Sequence, residues 1–68
     1  MKNRIKHYRE LKRWSQLELG ARAGIAQSAI SAYENGEKGM MVETAQKIAD
    51  ALGVKLDKLL EKGERKWK

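Results

Sequence analysis

Glutamine, serine and asparagine carry the chemistry this sequence offers. Stepped by about 100° per residue, Gln27, Ser28, Ser31, Ala32 and Asn35 fall on one arc of a helix, and Ala26, Ala29, Ile30, Tyr33 and Glu34 on the opposite one. Nothing on the first arc is charged or bulky. A glutamine amide donates and accepts in one plane, which suits paired hydrogen bonds to adenine N6 and N7 in a major groove. Gln16 opens an earlier helix, where unpaired backbone amides and the positive dipole end attract an anion such as a phosphate. Other chemistries lack their residues. His7 is the single histidine, there is no cysteine, and no carboxylates stand at a spacing suited to an activated nucleophile or a metal site. The sequence therefore predicts no enzyme, no metal and no cofactor, with His7 a surface residue.

Five short helices would position these groups. Asn3 caps the first, with Ile5, Tyr8 and Leu11 as its apolar positions and an end near Arg13. Ser15-Gln16-Leu17-Glu18 is a capping box opening a second helix over about 16–23. Gly24-Ile25-Ala26 separates it from a third over about 27–35, closed by Asn35-Gly36. Val42, Ala45, Ile48, Ala49 and Leu52 share a face of a fourth helix, stopped by Gly53, and Val54, Leu56, Leu59 and Leu60 suggest a short fifth. No strand or repeat is expected. The architecture predicted is all-α and compact, with one domain over residues 1–61 and a basic C-terminal tail over 62–68, frayed and including Trp67. Two short helices joined by a glycine turn form a helix-turn-helix, whose second helix is held out to enter a DNA major groove.

Composition points the same way. A chain of 68 residues has room for one small domain, and without cysteine it must rest on packing. No apolar run approaches the length of a membrane span, and the charged start is not a signal peptide, so a cytoplasmic, nucleoid-associated location is expected and no membrane partner. The net charge of +6 is unevenly spread: residues 1–14 carry +5, residues 15–54 carry −2 and residues 55–68 carry +3. Basic ends suit a polyanion, with nucleic acid first and anionic lipid second, although solvating charge on a small domain gives the same total. Four aromatic residues, mostly needed for the core, leave no stacking platform for single-stranded RNA.

Arg4-Ile5-Lys6, Ser15-Gln16 with Leu19, Gly24-Ile25, Gln27-Ser28-Ala29-Ile30-Ser31, Tyr33-Glu34-Asn35-Gly36 and Ala51-Leu52-Gly53-Val54 with Leu56-Asp57 stand in one order. Over residues 3–60 the sequence resembles the Cro and phage-repressor (Xre-type) helix-turn-helix family. The resemblance implies a five-helix fold, a two-fold dimer on operator DNA and a role in transcriptional regulation. It implies that Gln27 and Ser28, with Ser31 and Ala32 on the same face, read bases, Ala32 against a thymine methyl. Gln16, Asn35 and Arg9 are implied on the DNA backbone, Asn35 serving also as helix terminator; Lys38 and Arg13 are expected on the backbone as well, as basic residues outside what the resemblance carries over. Arg9 and Glu34 resemble a buried or half-buried ion pair between the first and third helices, a solvated pair being the alternative. Relatives often have glycine at Arg13, alanine at Gly20, serine or threonine at Ala26, and proline with a capping serine at Met40 and Met41. The third and fourth helices should thus lack side-chain caps. Trp14 replaces an aliphatic residue and is expected in the core.

One helix reading four or five base pairs discriminates too little at about 1 to 3 kcal/mol per pair, so a homodimer on an inverted-repeat operator in double-stranded DNA is expected. Met40 and Met41, with Leu56, Leu59 and Leu60, are the expected dimer interface, with Met40 or Met41 as core filler the alternative. The function expected is a transcriptional regulator acting as repressor. The alternative is an antitoxin-like module with autoregulatory DNA binding and a protein partner, a toxin or an antirepressor.

Overall fold

The computed structural model describes residues 3–60; the expected tail over 62–68 and Trp67 lie outside the described residues. Five helices follow one another: α1 (Ile5–Leu11), α2 (Gln16–Ala23), α3 (Gln27–Asn35), α4 (Val42–Leu52) and α5 (Leu56–Leu59). Local chemistry sets their ends. Ser15 caps α2 as expected, its Oγ accepting the Glu18 amide at 3.0 Å, whereas the cap position of α1 is Arg4, without a side-chain cap bond, and the expected cap Asn3 stands one residue earlier, its side-chain oxygen accepting the Ile5 amide at 3.1 Å. The glutamate half of the expected capping box goes elsewhere, since the Glu18 carboxylate pairs with Arg22 one turn on. Ala26 and Met41, which precede α3 and α4, supply no side-chain cap.

Four helices close in a left-handed residue. Gly24, Gly36 and Gly53 end α2, α3 and α4 at positive φ, but at the end of α1 that conformation falls on Arg13, at φ 61°. There the Trp14 amide donates to the Arg9 carbonyl at 3.2 Å and the Arg13 amide to the Glu10 carbonyl at 2.9 Å. This is the paired-bond closure usually given to glycine. A side chain bearing Cβ pays about 1 to 2 kcal/mol to adopt it.

The core is built from every helix: Ile5, Leu19, Ile30, Tyr33, Ile48, Ala49, Leu52 and Leu59 are buried together. α2 packs on α3 and α4, α5 closes against α4, and α1 crosses α3 and α4. Trp14 and Met40 are half-buried against this cluster. Three sequence-based assignments are corrected. Leu11, expected on the inner face of α1, is 66% exposed, because the buried stripe runs through Ile5, Tyr8 and Arg9. Val42, expected on the inner face of α4, is 73% exposed, because it lies in the helix's first turn, at the edge of the stripe formed by Ala45, Ile48, Ala49 and Leu52. Leu59 is fully buried, so it holds α5 to the core and is no part of an accessible dimer interface.

The first and last described residues meet. The Arg4 amide donates to the Leu59 carbonyl at 2.8 Å, and Asn3 and Leu60 form an antiparallel bridge, the one β-type pairing among the described residues. The Asn3 side-chain amide also donates to the Tyr33 carbonyl at 3.0 Å, tying this junction to the last turns of α3.

Candidate nucleic-acid interface

α2, the turn at Gly24 and α3 are held together by backbone contact. A Cβ at Gly20 would fall on the Ile25 carbonyl oxygen, far inside contact distance, and 3.5 Å from the Gln27 amide nitrogen. The Ile25 amide returns a hydrogen bond to the Gly20 carbonyl at 2.8 Å. Glycine at 20 lets the start of α3 sit directly on the backbone of α2. With Ile30 buried beneath it, α3 turns Gln27 and Ser28 outward, both exposed, with Asn35 exposed at its far end. Ser31 and Ala32 are half-buried, so the accessible polar face is widest at the N-terminal turn.

A chain of polar contacts runs from α1 to that turn. Arg9 Nε donates to Glu34 Oε2 at 2.6 Å and Nη2 to Oε1 at 3.1 Å, a two-pronged pair whose side chains are 11% and 3% exposed. The third arm, Nη1, donates to the Trp14 carbonyl at 2.8 Å. Glu34 Oε1 also accepts from Gln16 Nε2 at 3.1 Å, and Gln16 Oε1 accepts from Gln27 Nε2 at a long 3.5 Å. The hydrogen bond to Glu34, opposed by burial, holds the Arg9 guanidinium above its already high ordinary pKa, so it stays charged throughout the working pH range.

Arg9 was expected on the DNA backbone; its nitrogens are instead spent inward on Glu34 and Trp14. It supports the interface from below. Of the other expected backbone contacts, Gln16 is half-buried with its amide engaged, while Asn35, Lys38 and Arg13 are exposed, Lys38 Nζ standing 5.8 Å from the Tyr33 ring centre. Sequence reasoning missed the link from Glu34 to Gln16 and Gln27, whose only local trace is the recurrence of amide and carboxylate types near helix starts and ends. It also missed Trp14 as a platform for Arg22 and Lys12, 4.4 and 5.3 Å from its ring centre. Met41 is 70% exposed and adjoins exposed Val42, while Met40, Leu56 and Leu60 are half-buried.

No group of three or more potential metal ligands and no helix long and apolar enough to cross a membrane occurs among the described residues. A family model described as helix-turn-helix matches residues 5–59. An uncharacterised HTH-type transcriptional regulator of Methanocaldococcus jannaschii is 37% identical over 57 residues, covering 84% of this chain and 86% of its own length. The restriction-modification controller protein C.AhdI of Aeromonas hydrophila superposes with a TM-score of 0.81 at 26% identity, over 84% of this chain and 86% of that one. The N-terminal DNA-binding domain of SinR from Bacillus subtilis superposes at 0.78 with 30% identity, over 96% of this chain and 91% of that one. SinR in complex with DNA matches at 0.76 and 33% identity, over 79% and 87%. The complex of SinR and SinI protein matches at 0.83 and 30% identity, over 96% of this chain and 64% of that one.

Proposed function

Since the chain belongs to the Cro and phage-repressor (Xre-type) helix-turn-helix family, DNA-binding transcriptional regulators rather than enzymes, we propose that it is a sequence-specific repressor binding duplex DNA as a homodimer. The observation that carries this is α3: an accessible, uncharged, amide-bearing first turn, with Gln27 steadied by Gln16 and Gln16 by Glu34. Lowered into a major groove, Gln27 and Ser28 face base edges, with Ser31 and Ala32 following along the same side. Gln16, Asn35, Lys38 and Arg13 hold phosphates on either side of the groove. The binding unit is residues 1–61, acting in the cytoplasm on the nucleoid.

Two copies pair through Met41 and Val42, with half-buried Met40, Leu56 and Leu60 at the margin. They present two α3 helices to half-sites about 34 Å apart in an inverted repeat. A second reading, a protein partner that captures the same exposed Met41 and Val42, draws on the complex that SinR forms with SinI protein.

Selection of bound duplexes from a random pool tests the proposal. An inverted repeat should emerge, and Gln27→Ala should lose about 1 to 3 kcal/mol on it while binding random DNA nearly as before. Equal losses on both kinds of DNA would remove base reading from Gln27.

A further inference from the structure

We propose that the step from Asn35 to Gly36, at the end of α3, is a self-modifying site: the chain's own main-chain nitrogen converts the Asn35 amide to a carboxylate, which removes a DNA backbone contact irreversibly. The chemical step stands on its own, and its consequence for binding rests on the reading of Asn35 as a phosphate contact.

Of the two asparagines in the sequence, only Asn35 precedes a glycine. Both residues are exposed, and Gly36 brings no Cβ to crowd its nitrogen, the same property that lets it close α3 at φ 75°. The Gly36 nitrogen gives up its proton and attacks the side-chain carbonyl carbon of Asn35. The new C–N bond closes a five-membered imide, and the side-chain nitrogen leaves with that proton as ammonia. Water then opens the ring at either carbonyl. Breaking the new bond gives aspartate at position 35, and breaking the original peptide bond gives isoaspartate. The balance is water consumed and ammonia released.

The fold sets the rate. The Gly36 amide is held by the Tyr33 carbonyl at 3.2 Å, and the nitrogen reaches the side-chain carbon only when Asn35 leaves its helical conformation, so the last turn of α3 must open first. The same Tyr33 carbonyl accepts the Asn3 side-chain amide at 3.0 Å, and Asn3 is bridged to Leu60. The junction of the first and last described residues thus clamps the turn whose opening starts the reaction.

The product opposes DNA in two ways. A carboxylate at position 35 stands at the negative end of the helix dipole, between Glu34 and Glu37 in sequence, where Asn35 meets a phosphate. Isoaspartate also lengthens the main chain where the Gly36 and Glu37 amides return to the Tyr33 and Ala32 carbonyls, and so spoils the closure of α3.

The test holds the full chain in mildly alkaline buffer, alone, with the selected duplex, and unfolded in urea. Peptide mass mapping and enzymatic methylation of isoaspartate follow position 35 in the wild type, in Asn35→Gln and in Asn3→Asp, which keeps an acceptor for the Ile5 amide but has no amide to give Tyr33. Conversion should rise with hydroxide, run fastest in urea, be several-fold faster in folded Asn3→Asp than in folded wild type, slow on the duplex, and be missing in Asn35→Gln. Two unit charges about 4 Å apart, screened as in bulk water, repel enough to weaken binding about fivefold, so Asn35→Asp should lose at least that on selected and random duplex alike. A folded wild type that keeps its amide while the unfolded chain converts would overturn the site, and equal rates in Asn3→Asp and wild type would overturn the clamp. Unchanged affinity in Asn35→Asp, or no slowing on the duplex, would overturn the consequence for binding. Failure of the groove reading looks different: the wild type would prefer no duplex, while conversion at position 35 went on as before.

Discussion

Replacing Arg13 by glycine should make the protein more stable and a weaker DNA binder. Arg13 holds the left-handed turn that closes α1, at φ 61°, where α2, α3 and α4 use glycine. A residue with Cβ gives up about 1 to 2 kcal/mol in that conformation, and glycine's greater freedom in the unfolded chain returns about 0.5 to 1 kcal/mol of it. The net gain for Arg13→Gly is then about 0.5 to 1 kcal/mol, or about 2 to 8 °C in Tm for a domain of this size. Thermal melts followed by circular dichroism measure it. Arg13→Ala is the control, because it keeps the strained backbone and removes only the guanidinium, and its Tm should stay near that of the wild type. On DNA the two variants should agree, each losing one phosphate contact and flattening the salt slope by about 0.9. A glycine variant no more stable than the alanine variant would refute the strain, and unchanged slopes in both would remove Arg13 from the interface.

Three further outcomes are expected. Arg9→Ala leaves the Glu34 carboxylate, 3% exposed, with only the Gln16 amide, and should cost about 3 to 5 kcal/mol, much of which Arg9→Met with Glu34→Leu should restore in denaturant melts. No recovery in the double variant would mean that an uncompensated buried charge is not what destabilises the single one. Gly20→Ala gains about 1 kcal/mol of helix propensity but drives a Cβ into the Ile25 carbonyl, so chemical unfolding should show a net loss of about 1 kcal/mol, and a rise in stability would refute the tight approach. Met41→Glu should leave Tm within about 1 °C, as an exposed site allows, yet shift sedimentation toward the monomer and abolish cooperative binding to the inverted repeat. A variant that still pairs would place the dimer contact elsewhere.

Helices α2, α3 and α4 were legible because their ends are written in residues with local jobs: the Ser15 cap and the glycines at 24, 36 and 53. Periodicity gives a side chain's direction but not whether another helix stands opposite, which is why Leu11 and Val42 were placed inside and Leu59 at an interface. Arg9 shows the same limit for charge. A cation in a basic helix looks alike whether it points to a phosphate or to a carboxylate 25 residues away, so the pairing with Glu34 was legible only through the family resemblance, and the expected place on the DNA backbone was not met. The left-handed turn at Arg13 had only one sequence signal, the glycine that relatives often place there, because arginine itself announces no such conformation. The line from Glu34 through Gln16 to Gln27 joins side chains up to 18 residues apart in sequence, which no local pattern can display.

The bare backbone contact at Gly20 bears on who adapts when protein meets duplex. Between most packed helices lies a layer of side chains that can change rotamer and let one helix slide on the other. At Gly20 that layer is missing, and the Ile25 carbonyl sits on the α2 main chain with a hydrogen bond across the junction. The motif then docks as a fixed wedge with little give between its two helices. Misfit has to be absorbed by the DNA through twist, bend and groove width, at a cost that depends on base steps the protein never touches. Operators for this chain should accordingly show preferences between their half-sites as well as within them.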